Sequence, residues 1–325
     1  MRYLITGGAG FIGSHLGEAL LGQGHLVVAL DDLSTGDPGN VAAHTAGGRF
    51  TFVKGSVLDE ALVAELVEGC DVVVHLAAAV GVRLIVDQTL GSLATNVRGT
   101  QVVMQAADRF RRKVLLASTS EVYGQSQDVP LREDANHVLG RPVVARWSYS
   151  LAKAVDECLV NAYHRERGLS TIIVRFFNTV GPRQSPAYGM VVPRLVRQAV
   201  AGEPVTIYGD GRQTRCFLHV GDAVAALLSL LGDERAVGGT FNLGSSEEIS
   251  VLDLGRRVIE LTGSRSDIVF VPHEKVYGAH SEEPLRRVPD TARLRSLTGW
   301  RPTRSLDDVL LDVISEVRAN AAVTK

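Results

Sequence analysis

The chain has 325 residues, of which 45% are hydrophobic, and it carries 34 basic and 36 acidic residues for a formal net charge of -2. This length and hydrophobic content suffice for a large core, in one large domain or two smaller ones. The near balance of charge, without a long basic run, argues against nucleic acid or an anionic membrane as a partner.

Neither the amino terminus nor the cysteines indicate export. The chain enters a predicted strand directly, with no charged leader and no apolar run long enough to span a bilayer, so we expect a cytoplasmic protein. Cys70, Cys158 and Cys216 are far apart and odd in number. They predict reduced core thiols rather than a disulfide framework or a zinc site.

Apolar runs and helical patterns alternate through the first half of the chain. The predicted buried strands are 3–5, 26–30, 50–53, 72–76, 114–117 and 171–176, and the predicted helices lie near 12–22, 61–67, 93–110 and 149–166. This alternation predicts an α/β fold with a doubly wound parallel sheet and right-handed crossovers.

The alternation fades after residue 181, where short helices, turns and loops are mixed. This predicts a smaller mixed α/β substrate domain over the carboxyl ends of the strands, where ligands bind in open α/β sheets. We therefore expect a cofactor-binding domain over 1–177 and a second, partly interleaved domain over 178–325. Residues 240–245 read as a strand that returns to the main sheet.

A glycine-rich segment, residues 6–13, follows the first predicted strand and opens the first predicted helix; it reads TGGAGFIG. Gly7 permits a tight turn, Gly10 removes a Cβ from the path of a phosphate, and Gly13 allows close packing of helix on strand. The helix amides and dipole then face the anion. The pattern indicates a dinucleotide site in a Rossmann-type fold, although glycine-rich strand ends without a ligand also occur.

Two acidic residues, Asp31 and Asp32, end the second predicted strand. A carboxylate at this place accepts hydrogen bonds from the adenosine ribose hydroxyls. Two acids with no arginine directly after them would repel a ribose phosphate, which favours NAD over NADP. The stretch 32–39 is also rich in turn formers, so a turn is the alternative interpretation, and both can hold.

Tyr149 and Lys153 begin a segment with helical periodicity, so their side chains are expected on one helix face, one turn apart. A lysine ammonium, together with the positive charge of an oxidised nicotinamide, favours the phenolate and lowers the pKa of Tyr149 toward neutrality. Tyr149 is therefore predicted to be a general base. Taken alone, such a pair is more often a packing residue and an exposed charge, but behind a dinucleotide motif catalysis is favoured.

With these motifs the chain resembles the extended short-chain dehydrogenase/reductase family, in its branch of nucleotide-sugar epimerases, dehydratases and decarboxylases. The resemblance covers nearly the whole chain. Its marks are segment 6–13, Asp31-Asp32, His75-Leu76-Ala77-Ala78, Asn96, the run STSEVYG over 118–124, Tyr149 with Lys153, and the run RFFNTVGPR over 175–183. It implies NAD as cofactor, a UDP-sugar as substrate, and a homodimer through the predicted helices 93–110 and 149–166.

The resemblance also implies two sets of binding residues. For NAD they are Gly7, Gly10, Phe11, Ile12, Gly13, Asp31, Asp32, Ser34, Thr35, Gly36, Ser56, Val57, Leu76, Ala77, Ala78, Asn96, Tyr149, Lys153 and Phe176. For the UDP-sugar they are Arg146, Asn178, Val192, Tyr208, Arg215 and Arg287. Arginine suits a diphosphate through its bidentate donors, although any one of these arginines could instead form a surface ion pair.

The implied catalytic residues are Thr119, Ser120, Glu121, Tyr149 and Lys153. In the resembling family the hydroxyl at position 119 bonds the sugar oxygen that is oxidised, Tyr149 removes its proton, and the carbon delivers hydride to the nicotinamide. Thr119 as a strand-capping hydroxyl and Glu121 as a carboxylate bonded to backbone amides are the alternatives.

The fate of the resulting 4-keto sugar separates three reactions. Return of hydride to the opposite face gives C4 epimerisation, whereas loss of carbon dioxide from a uronic acid gives decarboxylation. The dehydratase branch has Asp-Glu where this chain has Ser120-Glu121, so dehydration is disfavoured. Residues 119–121, Arg146 and segment 208–215 resemble UDP-glucuronate decarboxylases, while 147–153 and 184–193 depart from them.

We therefore favour a 4-epimerase, with UDP-glucuronate slightly ahead of UDP-glucose. Decarboxylation of UDP-glucuronate to UDP-xylose is the alternative, and a non-catalytic NAD-binding sensor or scaffold is a more remote one. Arg146 as an exposed loop charge also remains open. The stretch 125–147 is too long for a simple connection, so it either closes over the substrate or forms a mobile surface insertion.

Overall fold

The structure is a computed structural model that describes residues 1–141, 143–186, 190–277 and 284–323. Pro142, in the stretch 125–147, and residues 187–189, in the departing stretch 184–193, therefore lie outside the described residues.

The described strands, in chain order, are β1 (Arg2–Thr6), β2 (Leu26–Asp31), β3 (Phe50–Lys54), β4 (Val72–His75), β5 (Lys113–Thr119), β6 (Thr171–Phe176), β7 (Thr179–Val180), β8 (Val205–Tyr208), β9 (Thr214–Cys216), β10 (Leu218–His219), β11 (Thr240–Leu243), β12 (Glu248–Ser250) and β13 (Ile268–Val271). The helices are α1 (Phe11–Gly22), α2 (Glu60–Glu68), α3 (Val82–Asp87), α4 (Thr89–Leu93), α5 (Gly99–Phe110), α6 (Trp147–Arg167), α7 (Val191–Ala201), α8 (Val220–Leu231), α9 (Val251–Thr262), α10 (His273–Tyr277), α11 (Ala292–Thr298) and α12 (Leu306–Val323).

Seven parallel strands form the main sheet in the order β11-β6-β5-β4-β1-β2-β3. The predicted Rossmann-type α/β fold is confirmed. Their apolar, β-branched runs are buried because helices cover both faces of the sheet. The chain runs outward from β1 to β3 and then returns to β4 on the other side of β1. This switch point leaves a crevice at the carboxyl ends of β1 and β4.

Each face of the sheet has its own apolar core. On one face α1 and α8 pack together through residues such as Leu16, Leu20 and Leu227. On the other face α2, α5 and α6 pack together, with Val67, Val103 and Val160 among the buried residues of that core. These two layers hold the strand ends, and therefore the site, in fixed positions.

A third apolar core lies beyond β6, built on α7, α9 and α12. Two short pairs of strands accompany it, β8 with β13 in parallel and β9 with β12 antiparallel. The strand β11 leaves this part of the chain and pairs with β6 in the main sheet. The division into domains 1–177 and 178–325 stays a prediction.

The single regular helix predicted over 93–110 is wrong for its first turn. A π-helical turn, Ala94–Arg98, separates α4 from α5. Its extra residue per turn leaves the apolar periodicity on either side intact, which is why the pattern did not reveal it. Within this turn, Asn96 Oδ1 accepts a hydrogen bond from the Ala79 amide at 2.8 Å, and its Nδ2 donates to the Ala79 carbonyl at 3.3 Å.

The described part of the stretch 125–147 is anchored to the molecule. The Leu131 amide donates to the Val288 carbonyl at 2.8 Å, and the Asp290 amide donates to the Leu131 carbonyl at 2.8 Å. The Leu131 side chain is buried beside Tyr123. The interpretation as a free surface insertion is therefore wrong for these residues, because backbone pairing and apolar burial fix them.

The surface differs from expectation at Cys158, which is exposed on α6, whereas Cys70 and Cys216 are buried as predicted. The exposed neighbour Val155, one turn earlier, shows that this side of α6 faces outward.

Across the described ranges, no helix combines the length and apolar character needed to cross a membrane. The homodimer stays a prediction.

Candidate active site

A cavity opens at the carboxyl edge of the main sheet, between the ends of β5 and β6 and the elements α7, β8 and β9. It brings together eleven of the predicted residues: Thr119, Ser120, Glu121, Arg146, Tyr149, Phe176, Asn178, Val192, Tyr208, Arg215 and Arg287. They come from distant parts of the chain, because the carboxyl ends of parallel strands meet at one edge of the sheet.

Thr119 and Tyr149 contact each other in this cavity. Thr119 is the last residue of β5, and its hydroxyl forms a hydrogen bond with the Tyr149 hydroxyl. Thr119 Oγ1 also accepts a hydrogen bond from the Glu121 amide at 3.1 Å, so the strand-capping interpretation holds together with the catalytic one. The phenol is thereby held at a fixed point on the cavity wall.

Lys153, one turn after Tyr149 on α6, is almost fully buried. Its Nζ donates a hydrogen bond to Asp156 Oδ2 at 2.9 Å, and Asp156 is buried as well. The lowering of the Tyr149 pKa was predicted for Lys153 acting together with an oxidised nicotinamide and stays a prediction, whereas the protein's own groups shift this pKa the other way. Burial first, and then the negative charges of Glu121 and Asp156, raise the pKa of Tyr149, and the hydrogen bond with Thr119 only partly opposes them.

Glu121 lies on a short 3₁₀ turn, Ser120–Tyr123, directly after β5. Its Oε1 accepts a hydrogen bond from Arg287 Nη1 at 2.6 Å and lies 3.7 Å from Arg146 Nη2. The pKa of Glu121 is about 2, because the attraction of Arg287, Arg146 and Arg215 outweighs the burial that raises it. Glu121 is therefore ionised at neutral pH.

The alternatives for Glu121 and Arg146 do not agree with these contacts. Glu121 bonds an arginine rather than backbone amides, and the Arg146 side chain is only 8% exposed, at the start of α6. Arg146 is therefore a charge of the cavity and not a solvated loop charge.

The far end of the cavity carries a second set of polar groups. The guanidinium of Arg194 stacks over the Tyr208 ring at 4.0 Å from the ring centroid. Asn178 Nδ2 donates to the Cys216 carbonyl at 2.9 Å, which ties the loop after β6 to β9. The buried Arg215 lies beside them. A flat ring, stacked cation and further arginine suit a nucleotide with its phosphates.

The glycine-rich segment adopts the turn that the sequence predicts. Gly7 has φ +71°, and a Cβ there would lie 2.9 Å from the Ala77 amide nitrogen. At Gly13 a Cβ would collide with the Gly7 carbonyl oxygen. Gly10 is the N-cap of α1, and within the described chain no side chain caps the first turn. The amides of Phe11 and Ile12 in that turn therefore have no capping side chain within the described residues, as a phosphate site at a helix N-terminus requires.

The acids after β2 shape the neighbouring loop. Asp31 accepts hydrogen bonds from the amides of Ala9, at 3.0 Å, and Leu33, at 2.9 Å. Asp32 accepts one from Ser34 at 2.9 Å, so the turn interpretation also holds. A Cβ on Gly36 would lie 2.7 Å from an Asp31 oxygen. The contact of these acids with a ribose stays a prediction.

The remaining predicted cofactor residues follow the ends of neighbouring strands. Asp32, Ser34, Thr35 and Gly36 come after β2, Ser56 and Val57 after β3, and Leu76, Ala77 and Ala78 after β4. They share one edge of the sheet with segment 6–13. Asn96 is buried and bonded to Ala79, so its position supports the loop after β4.

Comparison with known proteins fits this geometry. The model of the NAD-dependent epimerase/dehydratase family matches residues 3–244. The chain belongs to the NAD-dependent epimerase/dehydratase family.

Individual members of the family are similar over nearly the whole chain. The UDP-N-acetyl-alpha-D-glucosaminuronate decarboxylase of Bacillus cytotoxicus is 41% identical over 98% of this chain and 98% of its own. UDP-glucuronic acid decarboxylase 1 of Danio rerio is 36% identical, over 95% of this chain and 71% of its own. The crystal structure of UDP-glucuronic acid 4-epimerase from Bacillus cereus, in complex with UDP-glucuronic acid and NAD, superposes with a TM-score of 0.88 and 30% sequence identity. The match covers 98% of this chain and 100% of the epimerase chain.

NAD is the cofactor of this family, and the residues present fit it. At Gly7 and Gly13 the surrounding backbone leaves no space for a Cβ. Among the described residues, no side chain caps the first turn of α1. These features leave space and hydrogen-bond donors for a pyrophosphate. We propose that segment 6–13, Asp31 and the loop after β4 hold NAD, with Lys153 and Tyr149 beside its reactive end.

Other cavity residues of this family member were not predicted. Arg194, Gln213 and His273 also line the cavity. Gln213 lies within the segment 208–215 that was singled out, whereas Arg194 and His273 lie on α7 and α10 without a local motif. Asp156 follows Lys153 by three residues, so helical spacing alone predicts that the two side chains share one face of α6.

Proposed function

We propose that the protein decarboxylates a UDP-hexuronate after NAD-dependent oxidation at C4. The observation that carries the proposal is Glu121 held beside Tyr149 by Arg287 and Arg146. This moves the preference from the 4-epimerase that the sequence favoured to the decarboxylase that it held as the alternative. The names of the relatives from Bacillus cytotoxicus and Danio rerio support the same reaction.

Charge supports a substrate with a carboxylate at C6. The described cavity lining contains four arginines, at positions 146, 194, 215 and 287, and one acid, Glu121, for a formal charge of +3. A diphosphate diester carries two negative charges and a uronate a third, so a UDP-hexuronate matches this excess better than UDP-glucose. Arg287 Nη2 is buried without a hydrogen-bond partner among the described residues and is available to an anion.

Tyr149 and Thr119 serve the oxidation. Thr119 holds the C4 hydroxyl in place, and Tyr149 as phenolate removes its proton. NAD, held by segment 6–13 and Asp31, would supply the hydride acceptor for the oxidation at C4 and the hydride for the final reduction. With a ketone at C4, the C6 carboxylate, which is bonded to C5, is that of a β-keto acid.

Carbon dioxide then leaves as the C5–C6 electron pair moves into the C4 carbonyl. Thr119 and the protonated Tyr149 donate hydrogen bonds to the enolate oxygen that forms, and C5 takes a proton from water. Glu121 is ionised, so it does not supply that proton. Its negative charge instead weakens the hold of Arg287 and Arg146 on the substrate carboxylate, which favours loss of the carboxylate over its retention.

C4 epimerisation of the same uronate is the second candidate. It needs the same oxidation by Tyr149 and Thr119, and the similar Bacillus cereus structure is named for that reaction. The two candidates differ in whether the carboxylate survives the ketone stage.

The test is product analysis by proton NMR after incubation with NAD and, separately, UDP-glucuronate, UDP-N-acetylglucosaminuronate and UDP-glucose. A UDP-pentose such as UDP-xylose from a uronate supports the proposal. UDP-galacturonate with no pentose establishes the epimerase instead. Turnover of UDP-glucose alone contradicts a carboxylate-specific site.

A further inference from the structure

Asp156 is a buried acid that the proposed mechanism does not use. It lies on α6 three residues after Lys153, and the two side chains are 0% and 1% exposed. Its Oδ2 accepts the hydrogen bond from Lys153 Nζ at 2.9 Å, whereas its Oδ1 is buried without a partner among the described residues. A carboxylate so placed stays ionised only through its cation.

The elements packed around this pair supply little other charge. From α5, the hydroxyl of Thr100 forms a hydrogen bond with Asp156, and it also lies 2.8 Å from the Asn96 carbonyl, a second acceptor for its proton. From β4, His75 is bonded to Thr100 at 3.1 Å and is neutral, because burial and the nearby Lys153 lower the pKa of His75 to about 3. Lys153 is thus the cation that Asp156 pairs with.

The other charged groups nearby are already engaged. Glu157, the next residue on α6, accepts hydrogen bonds from Arg175 Nε at 2.9 Å and Arg175 Nη2 at 2.7 Å. Glu121 is paired with Arg287. Both Glu121 and Asp156 lie near enough to the phenol of Tyr149 to act on it electrostatically.

We propose that Asp156 is a positioning residue that fixes the Lys153 ammonium and offsets its charge, so that Tyr149 stays a phenol in the cofactor-free protein. A base then forms only when further positive charge is brought to the site. The inference rests on the proposed role of Tyr149 as the base. It does not depend on whether the substrate loses carbon dioxide or is epimerised.

The test is a pH titration of the ultraviolet absorbance of tyrosinate, with and without NAD, in Asp156→Asn and in the unmodified protein. The signal of Tyr149 is isolated by subtracting the same protein carrying Tyr149→Phe. Asp156→Asn should lower the midpoint by about one pH unit, since it removes one nearby negative charge. The control Glu166→Gln, at the exposed end of α6, should leave the midpoint unchanged.

A second variant covers the possibility that Asp156→Asn does not fold, since it leaves Lys153 buried and unpaired. The double variant Lys153→Gln with Asp156→Asn removes both charges of the buried pair and is compared with the unmodified protein. Because the inference has the two charges offset each other, the double variant should keep the midpoint of the unmodified protein. A clearly higher midpoint in the double variant, or an unchanged midpoint in a folded Asp156→Asn, overturns the inference. Because the titration uses no substrate, its outcome is independent of the product analysis that tests the proposed function.

Discussion

At the scale of single residues, the phenol of Tyr149 carries the proposed proton transfer. Tyr149→Phe keeps the ring and removes only the hydroxyl bonded to Thr119. We expect the variant to fold and to retain NAD while kcat falls by roughly 10²–10⁴-fold, the usual contribution of a general base. Bound NAD and the rate of substrate conversion are the quantities to measure.

Tyr163→Phe is the matched control, because it makes the same change on the same helix α6, away from the cavity. It should turn over at the rate of the unmodified protein. Full activity of Tyr149→Phe would exclude Tyr149 as the base.

Glu121 gives a second prediction at this scale, in the dependence of stability on pH. Its folded pKa of about 2 lies below its usual value of 4.5, so its ionisation stabilises the fold above about pH 4.5. This contribution is lost as the pH falls toward 2. Between about pH 4.5 and pH 2, the free energy of unfolding should therefore fall by roughly 3 kcal/mol less in Glu121→Gln than in the unmodified protein.

Urea unfolding at a series of pH values measures this difference. The exposed Glu166→Gln variant should follow the curve of the unmodified protein throughout. Parallel curves for Glu121→Gln and the unmodified protein would mean that Arg287 and Arg146 do not hold Glu121 ionised.

At the scale of elements, the start of α1 and its last turn respond differently to the same substitution. A Cβ at Gly13 would collide with the Gly7 carbonyl oxygen, whereas at Gly22 it would meet nothing within 4 Å. Gly13→Ala should lose NAD and about 1–3 kcal/mol of stability through overpacking. Gly22→Ala should keep NAD and gain up to about 1 kcal/mol from helix propensity.

The retained NAD after purification and the thermal unfolding temperature distinguish the two variants. Equal NAD content in Gly13→Ala and the unmodified protein would show that the first turn of α1 does not form the pyrophosphate site.

A second element, the stretch before α6, depends on a buried polar network. The hydroxyl of Tyr123 donates to Asn242 Oδ1 at 2.7 Å and accepts from Arg175 Nη1 at 2.9 Å. Asn242 in turn donates to the Leu131 carbonyl at 2.9 Å, and Arg175 to the Glu133 carbonyl at 3.1 Å. The network thus links β6 and β11 to the stretch that leads to Arg146.

Tyr123→Phe should lower the free energy of unfolding by about 1–3 kcal/mol, because it leaves buried polar partners unsatisfied. It should also speed amide hydrogen exchange over residues 125–141. Tyr163→Phe again serves as control. Unchanged exchange in Tyr123→Phe would mean that this network does not hold the stretch in place.

At the scale of the whole molecule, the main sheet could be predicted because each strand is a short apolar run bounded by turn or helix signals. Some strands extend beyond their predicted carboxyl ends, because polar residues such as Thr6, Asp31 and Thr119 still pair with the neighbouring strands. These same residues lie at the carboxyl edge, where ligands bind in this class of sheet. Position on the sheet therefore explains why eleven of the predicted residues line one cavity, while their roles stay predictions.

What the sequence did not disclose depends on contacts between distant residues. Glu121 and Arg287 are 166 residues apart, and no local pattern predicts their hydrogen bond. The protein's own groups raise the pKa of Tyr149 because the ring is buried and because Glu121 and Asp156 lie near it, and neither effect follows from the spacing of Tyr149 and Lys153. The π-helical turn at Ala94–Arg98 leaves the apolar periodicity within α5 intact, so that periodicity does not indicate the turn.

The most direct test of the account follows carbon-13 placed at C6 of UDP-glucuronate during incubation with the NAD-loaded protein. The account predicts that the label appears as bicarbonate in step with formation of a UDP-pentose, and that Tyr149→Phe releases none. Label that stays in the sugar nucleotide while UDP-galacturonate forms would contradict decarboxylation and assign the site beside Glu121 to a 4-epimerase.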